Sequence, residues 1–405
     1  MTDGAPGRAA RLVLAAASLL AALAGPASPQ SLAAAPQDRV ILFVERQDDP
    51  WRQTLSAHDG VMRPSHRSPF PGAELAAKDG RAAGRALGLA FKVVRRTLRA
   101  DEPVEQALAS AADQGVAAAI LDLPGSDLLA AAASGPPSLA LFNVRDPDDQ
   151  LRADACRGAL FHVVPTVSMR TDALAQFLVR RNWKKILALE GPEPEDKAFS
   201  AAMKASARKF GARIVDTRPF AITNDPRRRE QVNVGLLTGS EDYDVVFVAD
   251  VVGEFARMIP YRTVLPRPVA GSEGLRPLAW HPSAERNGAP QLNRRFERDA
   301  GRPMEEEDWA AWAAVRAVID AEFRNARDGA ASPLPKLLAR ADMTLELYKA
   351  YPGSFRPWDH QLRQAIFLAT SNAVTDIAPI EGFLHETNIL DTLGRAANQS
   401  PCGAP

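Results

Sequence analysis

The side chains of this 405-residue chain with chemistry to offer are six histidines, two cysteines and a set of polar groups that follow apolar runs. His58, His66, His162, His281, His360 and His385 never stand three or four residues apart. No pair can therefore share a helix face as metal ligands, and HExxH does not occur. Cys156 and Cys402 are too distant for a CxxC redox or metal motif. The nucleophile elbow GxSxG, the phosphate loop GxxxxGKS/T and a GxGxxG after a strand are all missing. These absences lead us to expect a protein that is not an enzyme and holds neither metal nor cofactor.

What remains is the stretch Gln47, Asp48 and Asp49, then Ser126, Asn143, Arg145, Glu190, Asp250, Ser272 and Glu273. Each lies at the end of, or just beyond, a mainly apolar run of strand length: 40–44, 117–123, 139–144, 185–190, 245–249 and 268–270. Unbroken apolar runs mark strands buried on both faces, as in a parallel sheet. Shorter strands are expected at 91–94 and 213–215. Between them the apolar spacing turns helical at 72–88, 104–114, 126–133, 168–182, 196–210, 227–237 and 253–258. Ser126 or Asp127 is the expected cap of the third helix. Alternation of this kind predicts βαβ units, and it runs twice in succession. The expected fold is α/β, with two doubly wound parallel-sheet lobes. Ligands of such sheets sit beyond the carboxyl ends of the strands. Singly, each polar group is as readily a helix cap or a turn residue; recurring at strand after strand, they form a candidate ligand-binding edge.

Downstream, helices are expected at 289–300, 305–327 and 334–347, and strands within 355–384. Trp309 and Trp312 share one helix and read as packing. Gly80, Gly84 and Gly88, with Lys78, Arg81 and Arg85 interleaved, read as close helix packing ending in a C-terminal cap. Arg227, Arg228 and Arg229 read as a solvated helix face, with an anion site as the alternative.

Forty-nine basic and 49 acidic residues cancel, so charge gives no chain-wide case for nucleic acid or an anionic membrane. At the N-terminus, Arg8 and Arg11 precede an uncharged run at 12–24, shorter than the roughly 20 residues that span a bilayer. Residues 1–24 read as a signal peptide, cut after Ala22-Leu23-Ala24, with an uncleaved anchor as the alternative. The mature chain then begins between Gly25 and Pro36 with a flexible lead-in (25–37) and is periplasmic. In that oxidising compartment Cys156 and Cys402 are expected to form a disulfide, the alternative being two free thiols.

Phe161-His162-Val163-Val164-Pro165-Thr166, Trp183-Lys184-Lys185-Ile186-Leu187 and Tyr243-Asp244-Val245-Val246-Phe247-Val248 follow one another in an order that resembles the type I periplasmic binding proteins of branched-chain amino-acid ABC transporters. Phe296 to Pro303 and Trp309 to Val315 are similar to that family's penultimate helices. Tyr261-Arg262-Thr263, Ser354-Phe355-Arg356-Pro357-Trp358, Gln361-Leu362-Arg363-Gln364 and Glu381 to His385 resemble a subfamily associated with PQQ-dependent alcohol dehydrogenase systems. The resemblance covers about residues 38–392. It implies two lobes joined by three crossovers, one lobe of 38–162 plus 281–345 and the other of 163–280 plus 346–392, with a tail at 393–405. A monomer would clamp a small polar or anionic ligand between its lobes and hand it to an inner-membrane ABC permease. Non-transport sensing or docking in an alcohol dehydrogenase system is the alternative. Gly271-Ser272-Glu273-Gly274 resembles the family's Gly-Pro-Glu-Gly and points to Glu273 for a ligand ammonium. Pro124-Gly125-Ser126 falls at the family's serine-rich carboxylate loop and points to Ser126. Asn143 and Arg145 replace the family's small residue and threonine, so the cleft gains a cation, and Arg145 is expected to face Glu273 across it.

Overall fold

The apolar run at 40–44 becomes the inner part of β1 (Gln37–Arg46), where Ile41 to Glu45 are all buried. The structure is a computed structural model that describes Met1 and residues 36–401 apart from 54, 59–60, 65, 157, 240–241 and 330. The expected signal peptide and Cys402 lie outside the described residues. β1 lies second in a parallel sheet of order β2-β1-β3-β4-β5, with β2 (Leu89–Leu98), β3 (Ala118–Asp122), β4 (Ala140–Asn143) and β5 (Leu160–His162). Register sets Glu45 opposite Asp122, and Asn143 opposite His162, which brings polar groups level at one edge.

Alternation along β1 serves two cores. Ile41 and Phe43 pack under α1 (Phe70–Ala86), while Leu42 and Val44 pack against α2 (Val104–Asp113) and α3 (Gly125–Ser134). Each such side chain contributes about 1.5–3 kcal/mol on burial. The first core also takes in α7 (Ala289–Ala300) and α8 (Glu306–Asp328), the latter through fully buried Trp309 and Trp312. The glycine series behaves as expected: a Cβ at Gly80 would meet Ile319 of α8 at 2.9 Å, and Gly88 takes φ +70 beyond the helix end. In chain order α4 (Asp149–Asp154), α5 (Val167–Arg180) and α6 (Pro194–Phe210) lie between these groups.

The second parallel sheet has the order β9-β8-β6-β7, from β6 (Lys185–Glu190), β7 (Arg213–Pro219), β8 (Val245–Ala249) and β9 (Val269–Gly271). Ala188 and Phe247 pack with α5 and α6 on one face; Leu187, Leu189, Val246 and Val248 pack with residues 220–259 on the other. An antiparallel sheet of β10 (Arg276–Leu278), β11 (Ile366–Ala369) and β12 (Val374–Ala378) links the halves. Phe367 of β11 reaches the first lobe's core, and Ile366 and Leu368 reach the second's. The chain passes between cores three times, between Val164 and Met169, between Ala270 and Ala279, and between Leu362 and Ile366. The third passage lies beyond 346 because Leu347, Phe355 and Leu362 pack in the first core.

Four local expectations differ from the structure. The cap of α3 is Pro124, without a side-chain bond, because Asp127 instead accepts a two-pronged bond from Arg46 at 2.8 Å. The helix expected at 227–237 is broken by Asn233, which is extended and caps a second short helix. Gly253 to Met258 yields only a 3-10 turn at Ala256–Tyr261. After Leu334–Leu338 the chain turns extended, with Met343, Leu345, Leu347 and Lys349 buried in alternation. No helix among the described residues is long and apolar enough to cross a membrane.

Candidate functional site

At the carboxyl edge of the first sheet, two strands carry carboxylates in their last two residues, Glu45 on β1 and Asp122 on β3, both 1% exposed. Buried charges persist only when paired. The short helix Pro50–Gln53 that follows β1 supplies the partner: Arg52 reaches Glu45 at 2.9 Å and also bonds Asp122. Arg95 of β2 pairs with Glu45 as well, and Ser68 Oγ donates to it at 2.7 Å. Burial still dominates at Asp122, whose carboxyl is raised to about 6 although Arg52 opposes the shift.

The same helix orients a stack. Arg145, beyond β4, donates through both terminal guanidinium nitrogens, Nη1 and Nη2, to Asp49 and lies 4.3 Å over the Trp51 ring. Trp51 in turn stacks on His66, centroids 3.6 Å apart and 11° from parallel. A cation over an indole face is held by the ring quadrupole. Burial pushes the His66 imidazole down to about 4, and Arg145 adds to that, so the ring is neutral at the foot of the stack at neutral pH.

Asn143 has a different task. Its side chain accepts from Arg145 N at 3.0 Å and Asp146 N at 2.9 Å and donates to Asp146 O at 2.8 Å, so it shapes the loop that carries Arg145. Arg152 of α4 completes that turn by donating to the carbonyls of Asp146 and Asp148. Arg145 itself makes no bond to the turn's aspartates. Ser126 is exposed in the first turn of α3.

On the second sheet the polar groups bind mainly backbone. Asp250 is 2% exposed and accepts from Gly253 N, Phe255 N and Ala256 N at 2.8–3.0 Å. Ser272 Oγ accepts from Asp250 N at 2.9 Å, and Glu273 accepts from Gly274 N at 3.0 Å. Gly271 is required there: at φ +112, a Cβ would fall 2.3 Å from Val248 O. Glu190 is half-buried at the end of β6. Asp196 ties the two neighbouring loops, accepting from Glu193 N and Val251 N.

The crossovers are fastened by buried amides and cations. Gln361 Nε2 donates to the carbonyls of His162 and Val164, Gln364 Nε2 to that of Val163, and Arg152 bonds both Gln361 and Val164 O. Lys349 donates to Gln364 and Ala365 O over the Trp309 face. Arg356 and Arg363 converge on buried Asp391. The Gln361 to Gln364 motif thus builds the joint between lobes.

The structure therefore gathers Asp49, Asn143 and Arg145 at one edge, and Asp250, Ser272 and Glu273 at another. Sequence reasoning missed Glu45, Trp51, Arg52, His66 and Asp122. The available signal was the carboxylate ending each apolar strand, as in VILFVE and AAILD. Cys156 is buried beside α4; its expected partner lies outside the described residues. No group of three His, Cys, Asp or Glu positioned to hold a metal ion occurs among the described residues. Chemically the edges offer paired charge, an aromatic stack and loop amides, which suit binding.

No family model matches this sequence, and no curated protein does. Solved structures do match. A putative branched-chain amino acid ABC transporter protein from Rhodospirillum rubrum aligns with TM-score 0.63 at 12% identity, over 85% of this chain and 100% of that one. The leucine-, isoleucine-, valine-, threonine- and alanine-binding protein of Brucella ovis, in a closed conformation, gives 0.62 at 13% identity, over 85% and 93%. A solute-binding protein of an ABC transporter from Rhodopseudomonas palustris, in complex with 3,4-dihydroxybenzoic acid, gives 0.56 at 13% identity, over 82% and 93%. The chain has the two-lobed fold of type I periplasmic binding proteins.

Proposed function

We propose that this protein is a periplasmic solute-binding protein that holds a small polar or anionic organic molecule, amino-acid-like or carboxylate, between its lobes and delivers it to an ABC permease. The observation that carries this reading is the placement of polar groups level with one another at the carboxyl edges of both parallel sheets. Structural neighbours bound to 3,4-dihydroxybenzoic acid or named for amino acids support the ligand class. Ser126 and Arg145 from the first lobe, and Glu190 and Glu273 from the second, are the contacts we assign. Asn143, Asp250 and Ser272 set the loops that present them. A ligand carboxylate takes the Arg145 fork in place of Asp49, since guanidinium pairs with carboxylate bidentately.

A second reading is a periplasmic sensor or docking module of an alcohol dehydrogenase system. It is favoured by one observation: Arg52 and Arg145 are already neutralised by carboxylates of their own lobe. Export and a Cys156–Cys402 disulfide belong to both readings; intact mass of the periplasmic protein, with and without alkylation, tests them together. A full-length chain with two alkylated thiols would refute both. The functional test is a thermal-shift screen of the mature protein against amino acids, short carboxylates and alcohol-oxidation products. A true ligand at 100 times Kd stabilises by about 2.7 kcal/mol. Stimulation of a cognate permease ATPase by the loaded protein supports transport; binding without stimulation supports the second reading, and no binding across the screen counts against both.

A further inference from the structure

Lobe two carries an open surface groove of about 670 Å³, lined by the β7–β8 connection (Thr223 to Gly235) and by Arg262 on the β8–β9 connection; Glu273 is not among its lining residues. The broken helix makes it. Asp225 accepts from Arg227 N at 3.0 Å and starts a tight turn, and extended Asn233 starts a second short helix. The chain therefore turns twice within this connection instead of running as one straight helix. Thr238 Oγ1 accepts from Val264 N at 3.0 Å, which holds the two connections side by side.

The lining has the character of an amphipathic anion site. Arg229 and Arg262 both line it, and neither has a carboxylate partner among the described residues. The lining holds one acid, Asp225, and one of its oxygens is committed to Arg227 N. Asn224 and Thr223 add hydrogen-bonding groups, while Val232 and Val234 give an apolar wall. Leu236 and Val264 stand 55% and 58% exposed near its rim, although solvent-facing side chains of that size are normally scattered.

We propose that this groove binds an organic carboxylate with an apolar body: Arg229 and Arg262 hold the carboxylate, and the valine wall covers the hydrocarbon. It is a second site, independent of the strand-end site and of what that site binds.

The probe is hexanoate, with 1-hexanol and hexylammonium as neutral and cationic matches, followed by methyl NMR of the full mature chain. Hexanoate should shift the methyls of Val232, Val234 and Val264 saturably and bind about tenfold more tightly than either match. Arg229→Gln and Arg262→Gln, both at exposed positions, should each erase that preference while leaving the remaining methyl spectrum in place. Equal affinity for the three probes overturns the proposal. So do shifts confined to strand-end methyls such as those of Val144, a preference that survives in both variants, or no saturable shift at millimolar concentration.

Discussion

The two strand edges solve one problem, presenting charge at the end of a buried strand, in different ways. At the first sheet, carboxylates are answered by arginines from other elements: Arg52 for Glu45 and Asp122, Arg95 for Glu45, and Arg145 for Asp49. At the second, Asp250 and Glu273 are answered by amides within a few residues. The first edge is a side-chain network whose charge is redistributed when a partner is displaced. The second is a set of rigid loops in which carboxylates fix backbone shape. A ligand anion would compete with Asp49 on the first edge, whereas on the second it would meet a surface already set.

The comparison is most open to attack at Arg52. Its replacement by Met leaves Glu45 and Asp122 without their shared cation, and a broken buried pair costs about 3–5 kcal/mol. Chemical denaturation should show that loss. A change within about 0.5 kcal/mol, as expected for a typical surface residue, would mean that the network contributes nothing. Asp250→Ala removes three charge-assisted amide bonds and should cost about 1–3 kcal/mol. Hydrogen exchange should then rise at Phe255 and Ala256 and leave the first edge alone; a spread to both edges would erase the distinction drawn here.

A smaller effect reads the charge directly. Asp122 is raised above its ordinary value, so between about pH 4 and pH 6 the folded chain holds more protons than the unfolded one. Stability from this group therefore falls as pH rises through that window. His66, held down to about 4, works in the opposite sense and favours the folded state as pH rises from about 4 to 6.5. Asp122→Asn should remove only the first slope, so the difference in unfolding free energy between wild type and variant must vary across pH 4–6. A flat difference would show that Asp122 is not buried as described.

Legibility in the sequence follows the same division. The strands were readable because runs such as 40–44 and 245–249 are apolar without interruption, and the parallel order follows from their alternation with helices. Local devices such as the Asp250 loop and the Gly88 cap lie within a few residues of what they organise. Arg52 with Asp122, or Gln361 with His162, joins residues far apart in the chain, and no period announces such pairs. The helix expected at 334–347 had its correction in plain view: Met343, Leu345 and Leu347 alternate with period two, which a helical reading of the whole segment overrode. At 227–237 the apolar spacing was helical enough, and the extended conformation of Asn233 prevailed over it.

The central claim is that a ligand is held between the two edges. Calorimetry with a ligand from the screen, on wild type, Arg145→Ala and Glu273→Ala, tests it most directly. The account predicts that Arg145→Ala weakens binding by about 2–5 kcal/mol, the cost of stripping a buried carboxylate of its cation, and that Glu273→Ala also weakens binding. Unchanged affinity in both variants would contradict it and remove both residues from the site.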